Sequence, residues 1–489
     1  MHQGTLRFDP VDELWLPKPV AAASAQKRHS LFIKYRPKLV INPELNRTLV
    51  SFQGSKTAPF YRWFKYKEAF SSEFAHHVLR NYPAPNGKPL KVLDPFAGAG
   101  TTLTTSTMAG WEATGIELLP VGVATISARI RAQHVSIPSF EGWLRELRAF
   151  SGETCPAPRL RFPHLRITEK AFPAETEKAI LCCSEFLQTI RDPDVQSLFR
   201  FAVLSVLEEV SFTRKDGQYL RWDARSGKSS GTRFNKGTIP RFWPALIPKL
   251  ELMFKDISQR GGAAFADKIH LIEGSCLSVL PDLERNQFKL VLTSPPYCNR
   301  YDYTRTYALE LAYLGYTEEQ VKTLRQALLS ATVENRSKRQ QIEADYEKRG
   351  RAERHAWIRE AFRQQEALQE ALLLLRSARD AGKLNNNNIP GMVENYFYEM
   401  NFVIHELARL LAPGGRIVMV NDDVQYAGEE VPVDLILSDF ASHAGLTVDH
   451  IWVLPRGKGN SSQQMDVHGR NELRKCAYVW LRRGSKNQR

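Results

Sequence analysis

The sequence predicts an α/β protein built on one doubly wound, mostly parallel sheet that two largely helical inserts interrupt. Three observations carry this expectation. Short apolar strands alternate with helical stretches from Lys91 onward. Two strands end in strings rich in glycine or proline, Asp94-Pro-Phe-Ala-Gly-Ala-Gly-Thr-Thr102 and Thr293-Ser-Pro-Pro-Tyr297. The alternation stops twice, over residues 134–267 and 317–383, and resumes each time.

Residues 1–50 are proline-dotted and carry little signal. An aromatic and basic stretch, Phe60 to Phe70, runs into a helix around 71–81, and residues 81–89 form a turn-rich connector. Lys91 to Phe96 reads as a buried strand, Thr101 to Ala109 as a helix, Ala113 to Leu118 as a second strand, and 120–133 as a second helix. The first insert, 134–267, is helical in pattern, with a polar and basic break from Ser211 to Thr238. Strands resume at 269–272 and 288–293. The second insert, 317–383, interleaves charges of both signs, the pattern of a solvated helix face. It reads as a structural or dimer-forming arm. Asn385 to Asn388 mark a loop, and a helix near 393–411 stops at Pro413-Gly-Gly415. A strand at 416–420, a helix at 432–444 and strands at 447–454 and 476–482 complete the pattern. One domain is therefore expected from 51–133, 268–316 and 384–489, with 134–267 as the candidate target-recognition region.

Composition narrows the function. The chain of 489 residues carries 67 Lys+Arg against 53 Asp+Glu, a net charge of +14, which suits a polyanionic partner. Its six cysteines form no CxxC pair, which argues against a disulfide framework or a structural zinc site and fits a reducing cytoplasm. No metal is expected. No apolar run is long enough to span a bilayer, and the first residues lack the apolar core of a signal peptide.

The glycine string follows a strand and precedes a helix. Gly98 and Gly100 let the backbone turn tightly and let a ligand approach the main chain, with Phe96 and Thr101 beside them. Glu117 follows Asp94 by 23 residues, near the end of the second strand, where a carboxylate accepts hydrogen bonds from ribose hydroxyls. A dinucleotide would call for G-x-G-x-x-G, but Thr101, Thr102 and Leu103 follow Gly100. Asp94 suits a positively charged ligand. Together these features predict S-adenosylmethionine.

In Ser294-Pro295-Pro296-Tyr297, two prolines fix both φ angles and remove two donors. The carbonyls of Ser294 and Pro295 are then expected to accept both N–H bonds of an exocyclic amine, localising its lone pair on nitrogen. No strong base is required, so catalysis is orientation and electrostatics. Tyr297 offers a face on which an extruded base stacks.

These two strings resemble those of the amino-methyltransferases that act on DNA, in which TSPPY accompanies N4-methylcytosine and DPPY accompanies N6-methyladenine. The resemblance implies a Rossmann-like fold. It also implies that Tyr66, Lys67 and Phe70 pack on the methionine end of the cofactor, and that Thr293 stands at the site. Ile272-Glu-Gly-Ser-Cys276 falls where the family places Gly-Asp against adenine, with Ser275 in place of the Asp; Ser275 and Cys276 take that position here. Leu454 to Ser462, with Arg456 and Lys458, resembles a loop near the target base.

Ser211 to Thr238 holds seven Lys/Arg and two Asp among four aromatics. Arg214, Lys215, Arg221, Arg225, Arg233 and Lys236 are candidate DNA contacts, and Phe212, Tyr219, Trp222 and Phe234 suit stacking. The expected function is site-specific methylation of cytosine N4 in double-stranded DNA within a restriction or defence system. Adenine N6, an RNA base, and an inactive DNA-binding subunit are the alternatives.

Overall fold

The computed structural model describes residues 9–10, 25–82, 90–152, 156–216, 219–228, 234–260, 266–455 and 473–484. In chain order the strands are β1 (Asp9–Pro10), β2 (Leu39–Ile41), β3 (Lys91–Asp94), β4 (Glu112–Glu117), β5 (Thr213–Asp216), β6 (Tyr219–Trp222), β7 (Ile269–Glu273), β8 (Phe288–Thr293), β9 (Leu411–Asp422), β10 (Val424–Tyr426), β11 (Glu429–Val431), β12 (Thr447–Val453) and β13 (Lys475–Leu481). Nine of them form one sheet in the order β1-β2-β12-β13-β9-β8-β3-β4-β7. The run from β9 to β7 is parallel throughout, and β13 is antiparallel to both its neighbours. The fold is the α/β class that the alternation predicts, and it is Rossmann-like, as the family resemblance implies.

The strands are apolar on both faces because both faces are covered. Along β8, Leu290 and Leu292 face one layer and Val291 faces the other; along β9, Val418 and Val420 alternate with Ile417 and Met419 in the same way. Helix Ser72–Asn81, capped by Ser71 Oγ accepting from the Phe74 N–H at 3.1 Å, joins helix Thr101–Met108 on one face. Helices Ile389–Leu410 and Val433–His443 cover the other.

The inserts dock on this frame from different sides. Helices Ile137–Ser151, Ala174–Leu187, Pro193–Val210 and Phe242–Ser258 share a core with Phe60 to Tyr66, helix Pro120–His134 and helix Ala308–Tyr313. The polar break between them is the hairpin β5–β6. In the second insert, helices Arg339–Lys348, Ala352–Gln364 and Glu366–Asp380 share the core of helix Ile389–Leu410, while helix Glu318–Ala327 joins the core of the first insert through Val321 and Leu324.

Three expectations are corrected. The interleaved charges of the second insert are not all solvated. Lys338 forms a buried pair with Glu399 at 2.9 Å, Arg339 and Arg376 meet Glu394 at 2.8 and 2.7 Å, and Arg354 meets Glu406 at 2.6 Å. Residues 1–50 are not featureless. Helix Gln26–Tyr35 buries Arg28 between Glu370 at 2.9 Å and Glu429 at 2.8 Å, and β2 extends the sheet. Those partners lie 342 and 401 residues away in the chain, so no local pattern announces them. Cys182 is disulfide-bonded, whereas Cys183, Cys276, Cys298 and Cys476 are free and buried.

Candidate active site at the carboxyl edge of the sheet

A cavity opens where β3, β4, β7 and β8 end. Crevices at the carboxyl ends of parallel strands receive ligands because the strand-to-helix turns there expose backbone amides. After β3 the chain turns through Gly98, at φ 52°, and Gly100, at φ 75°, both left-handed. A Cβ at Gly98 would stand 3.3 Å from the Tyr66 ring. A Cβ at Gly100 would stand 2.7 Å from Ile126 Cγ1. Gly98 keeps the cavity open, and Gly100 lets two helices close.

Of the residues expected to bind a cofactor, Tyr66, Phe70, Asp94, Phe96, Gly98, Thr101, Glu117, Ser275 and Cys276 line this cavity. Three do not. Gly100 serves the Ile126 contact instead. Lys67 turns away, its Nζ donating to the Lys215 carbonyl. Thr293 stands behind the wall, its hydroxyl donating to Asp94 Oδ1 at 2.6 Å. In the proline string, Ser294 and Pro296 line the cavity, while Pro295 is buried behind them. Tyr297 lies next to it, its hydroxyl 3.4 Å from Ser294 Oγ. Among the described residues, no backbone N–H outside the helices and strands donates to the Ser294 or Pro295 carbonyl.

Two carboxyl groups are buried in the wall. Burial raises Asp94 to about 6 from 3.8, against the lowering effect of Thr293, Thr102 and the Phe96 N–H. Burial raises Glu117 to about 7 from 4.5, although its carboxylate accepts from Leu119 N at 2.6 Å and Gly98 N at 2.5 Å. Each oxygen keeps a further lone pair for a ligand. The apolar wall of Phe96, Ile116, Leu118, Cys276 and Leu329 fits a flat ring, and the acids fit hydroxyl donors and a cation. Among the described residues no cluster could hold a metal ion, and no helix is long and apolar enough to cross a membrane.

The structure adds lining residues that pattern reading missed. Glu68 accepts hydrogen bonds from the hydroxyls of Tyr301 and, at 2.5 Å, Tyr307. Tyr307 stacks on Tyr66 with ring centres 5.2 Å apart, and Tyr303 enters the wall. The repeated tyrosines of Tyr301-Asp-Tyr-Thr-Arg-Thr-Tyr307, directly after the proline string, were the available signal. Ala327, Leu328 and Leu329 come from the second insert, and nothing local marks them.

The basic hairpin divides its charges. On β5, Arg214 is exposed while Lys215 is buried, because neighbouring strand residues face opposite ways. Lys215 pairs with Glu310 and lies 4.4 Å over the Tyr307 ring, so its expected nucleic-acid role is corrected to a structural one. Lys236 is likewise committed: its Nζ donates to the carbonyls of Glu208, Glu209 and Ser211 at a helix end. Arg225 is exposed and forms two 2.8 Å bonds with Asp223. Arg221 lies 4.4 Å over Phe234. Arg233, Arg456 and Lys458 fall outside the described residues.

The chain is 44% identical over 467 residues to the type II methyltransferases M.AvaI of Nostoc sp. and of Anabaena variabilis, covering 91% of this chain and 91% of each of theirs. It is 38% identical over 452 residues to the type II methyltransferase M.BsoBI of Geobacillus stearothermophilus, covering 89% of this chain and 88% of that one. No family model matches the chain.

Proposed function

The chain belongs to the type II methyltransferases, and on that premise we propose that it methylates N4 of a cytosine turned out of duplex DNA. The methyl donor is S-adenosylmethionine, which supplies a methyl group already activated by its positive sulfur. The observation that supports this reading is the joining of the glycine turn, Glu117 and Ser294-Pro-Pro-Tyr297 around one cavity, with Tyr297 at its side.

Glu117 accepts from ribose hydroxyls, the apolar slot ending at Cys276 takes the adenine, and Asp94 and Glu68 offset the positive charge of the methionine end. The Ser294 and Pro295 carbonyls accept the two N–H bonds of the target amine. The nitrogen lone pair then points at the methyl carbon. S-adenosylmethionine, when bound, would supply its methyl group to that nitrogen, the C–S bonding pair leaving with the sulfur, and the amine would then release one proton to solvent. Tyr297 stacks on the base and sets the approach angle. Ser294 favours cytosine: its hydroxyl can donate to the ring nitrogen beside the amine, which a carboxylate would repel.

Arg214, exposed on β5, and Arg225, exposed in the turn Ala224–Ser226 that follows β6, contact DNA phosphates. The protein acts in the cytoplasm on double-stranded DNA, as the protective partner of a restriction endonuclease that cuts the same site. Nucleoside mass spectrometry of methylated duplex tests the target atom. N4-methylcytosine is expected; N6-methyladenine alone would overturn the cytosine assignment.

A further inference from the structure

A charged pair stands near the proline string. Lys475 opens β13 and lies opposite Asp422, the last residue of β9. Lys475 Nζ is 3.3 and 3.4 Å from the two Asp422 carboxylate oxygens and 5.5 Å from the centre of the Tyr297 ring. Tyr297 in turn lies 3.4 Å from the hydroxyl of Ser294, which lines the cavity. Burial lowers the Lys475 pKa, but Asp422 and Tyr297 together raise it by more, so the ammonium remains charged. Of its three N–H donors, one meets Asp422 Oδ2 at 3.4 Å and one the Tyr297 hydroxyl, which leaves one for a ligand.

A base stacked on Tyr297, with its amine at the Ser294 and Pro295 carbonyls, presents the rest of its pairing edge beside that string. On cytosine this edge carries two acceptors, ring N3 and the O2 carbonyl. On adenine it carries ring N1 and then a C–H. A fixed cation beside the ring is satisfied by the first edge and left facing carbon by the second. We infer that Lys475, oriented by Asp422, donates a hydrogen bond to O2 of the extruded cytosine and so selects cytosine over adenine. The inference rests on the reading of Ser294 to Tyr297 as the target-base site.

The test is single-turnover methylation of a duplex carrying the protein's own site, with either cytosine or 2-thiocytosine at the target position. Sulfur is a much weaker acceptor than oxygen. The wild type should slow about tenfold or more on the thio duplex, the loss expected for a hydrogen bond to a charged donor. Lys475→Arg, which keeps both charge and donor, should retain that penalty. Lys475→Met should methylate both duplexes at one reduced rate while binding cofactor as the wild type does. A wild type indifferent to the sulfur overturns the inference without any variant. Equal thio penalties in the wild type and Lys475→Met overturn it too. In both cases an N4-methylcytosine product leaves the reading of the site standing. N6-methyladenine from the wild type overturns both.

Discussion

The two inserts look alike in composition, each rich in charge and long in helix, yet they spend their charges differently. In the second insert, Lys338, Arg339, Arg354 and Arg376 turn toward carboxylates on helix Ile389–Leu410. In the first, the β5–β6 hairpin alternates: Lys215 is drawn under Tyr307 and Glu310, while its neighbour Arg214 stays in water. Charge content does not say which way a charge faces. Strand alternation and the presence of a buried acid do.

The largest effect should come from breaking an inward pair. Lys338→Met leaves Glu399 buried without its cation and should cost about 3–5 kcal/mol of stability, measured by denaturant unfolding. Lys215→Met should likewise destabilise the fold by stranding Glu310. A Lys215 variant of normal stability but weak DNA affinity would reverse the division drawn above.

Tyr297→Ala separates the base site from the cofactor wall. It should remove about 1–3 kcal/mol of base stacking and lower methyl transfer by that factor or more, while calorimetric affinity for S-adenosylmethionine stays near the wild-type value. Normal methyl transfer in this variant would refute the stacking role.

Glu117→Ala probes the wall itself and should weaken cofactor binding by about 1–3 kcal/mol. The pH dependence sharpens this. Asp94 and Glu117, raised by burial to about 6 and about 7, hold protons that the unfolded chain releases near 3.8 and 4.5. Their contribution to stability is therefore full below the lower pair of values and is lost as pH rises through the upper pair. Cofactor binding uses the ionised acceptors, so it should strengthen over the same rise and release protons. Calorimetry in two buffers of different ionisation enthalpy measures that release, and a pH-independent affinity would contradict it.

The smallest effect concerns the outward charges. Arg214→Ala and Arg225→Ala should each flatten the salt dependence of DNA binding by up to about one unit of log–log slope. Arg363 and Arg379, exposed on the second insert, should leave the slope unchanged. Equal effects from both inserts would erase the functional contrast between them.

Much of the site was legible because its parts are local. The glycine turn, Glu117 and the proline string each sit at a strand end, where spacing and backbone chemistry speak for themselves. Lys67 and Gly100 misled for the same reason: their strings announce a ligand, but one lysine turns to the β5–β6 hairpin and one glycine serves packing. Glu68 gave no sign, since its role depends on two tyrosines more than two hundred residues away.

The sequence by itself determined the α/β order and the two strings that meet at the carboxyl-edge crevice, because hydrophobic period, glycine and proline act over a few residues. Only the tertiary structure decided which basic side chains remain in water. It alone brought Leu329 of the second insert to the cavity wall, set Lys475 and Asp422 across from one another, and placed helix Gln26–Tyr35 against the second insert. Each of these is a long-range contact, fixed by which faces must be covered when the sheet, its helices and both inserts close into one body.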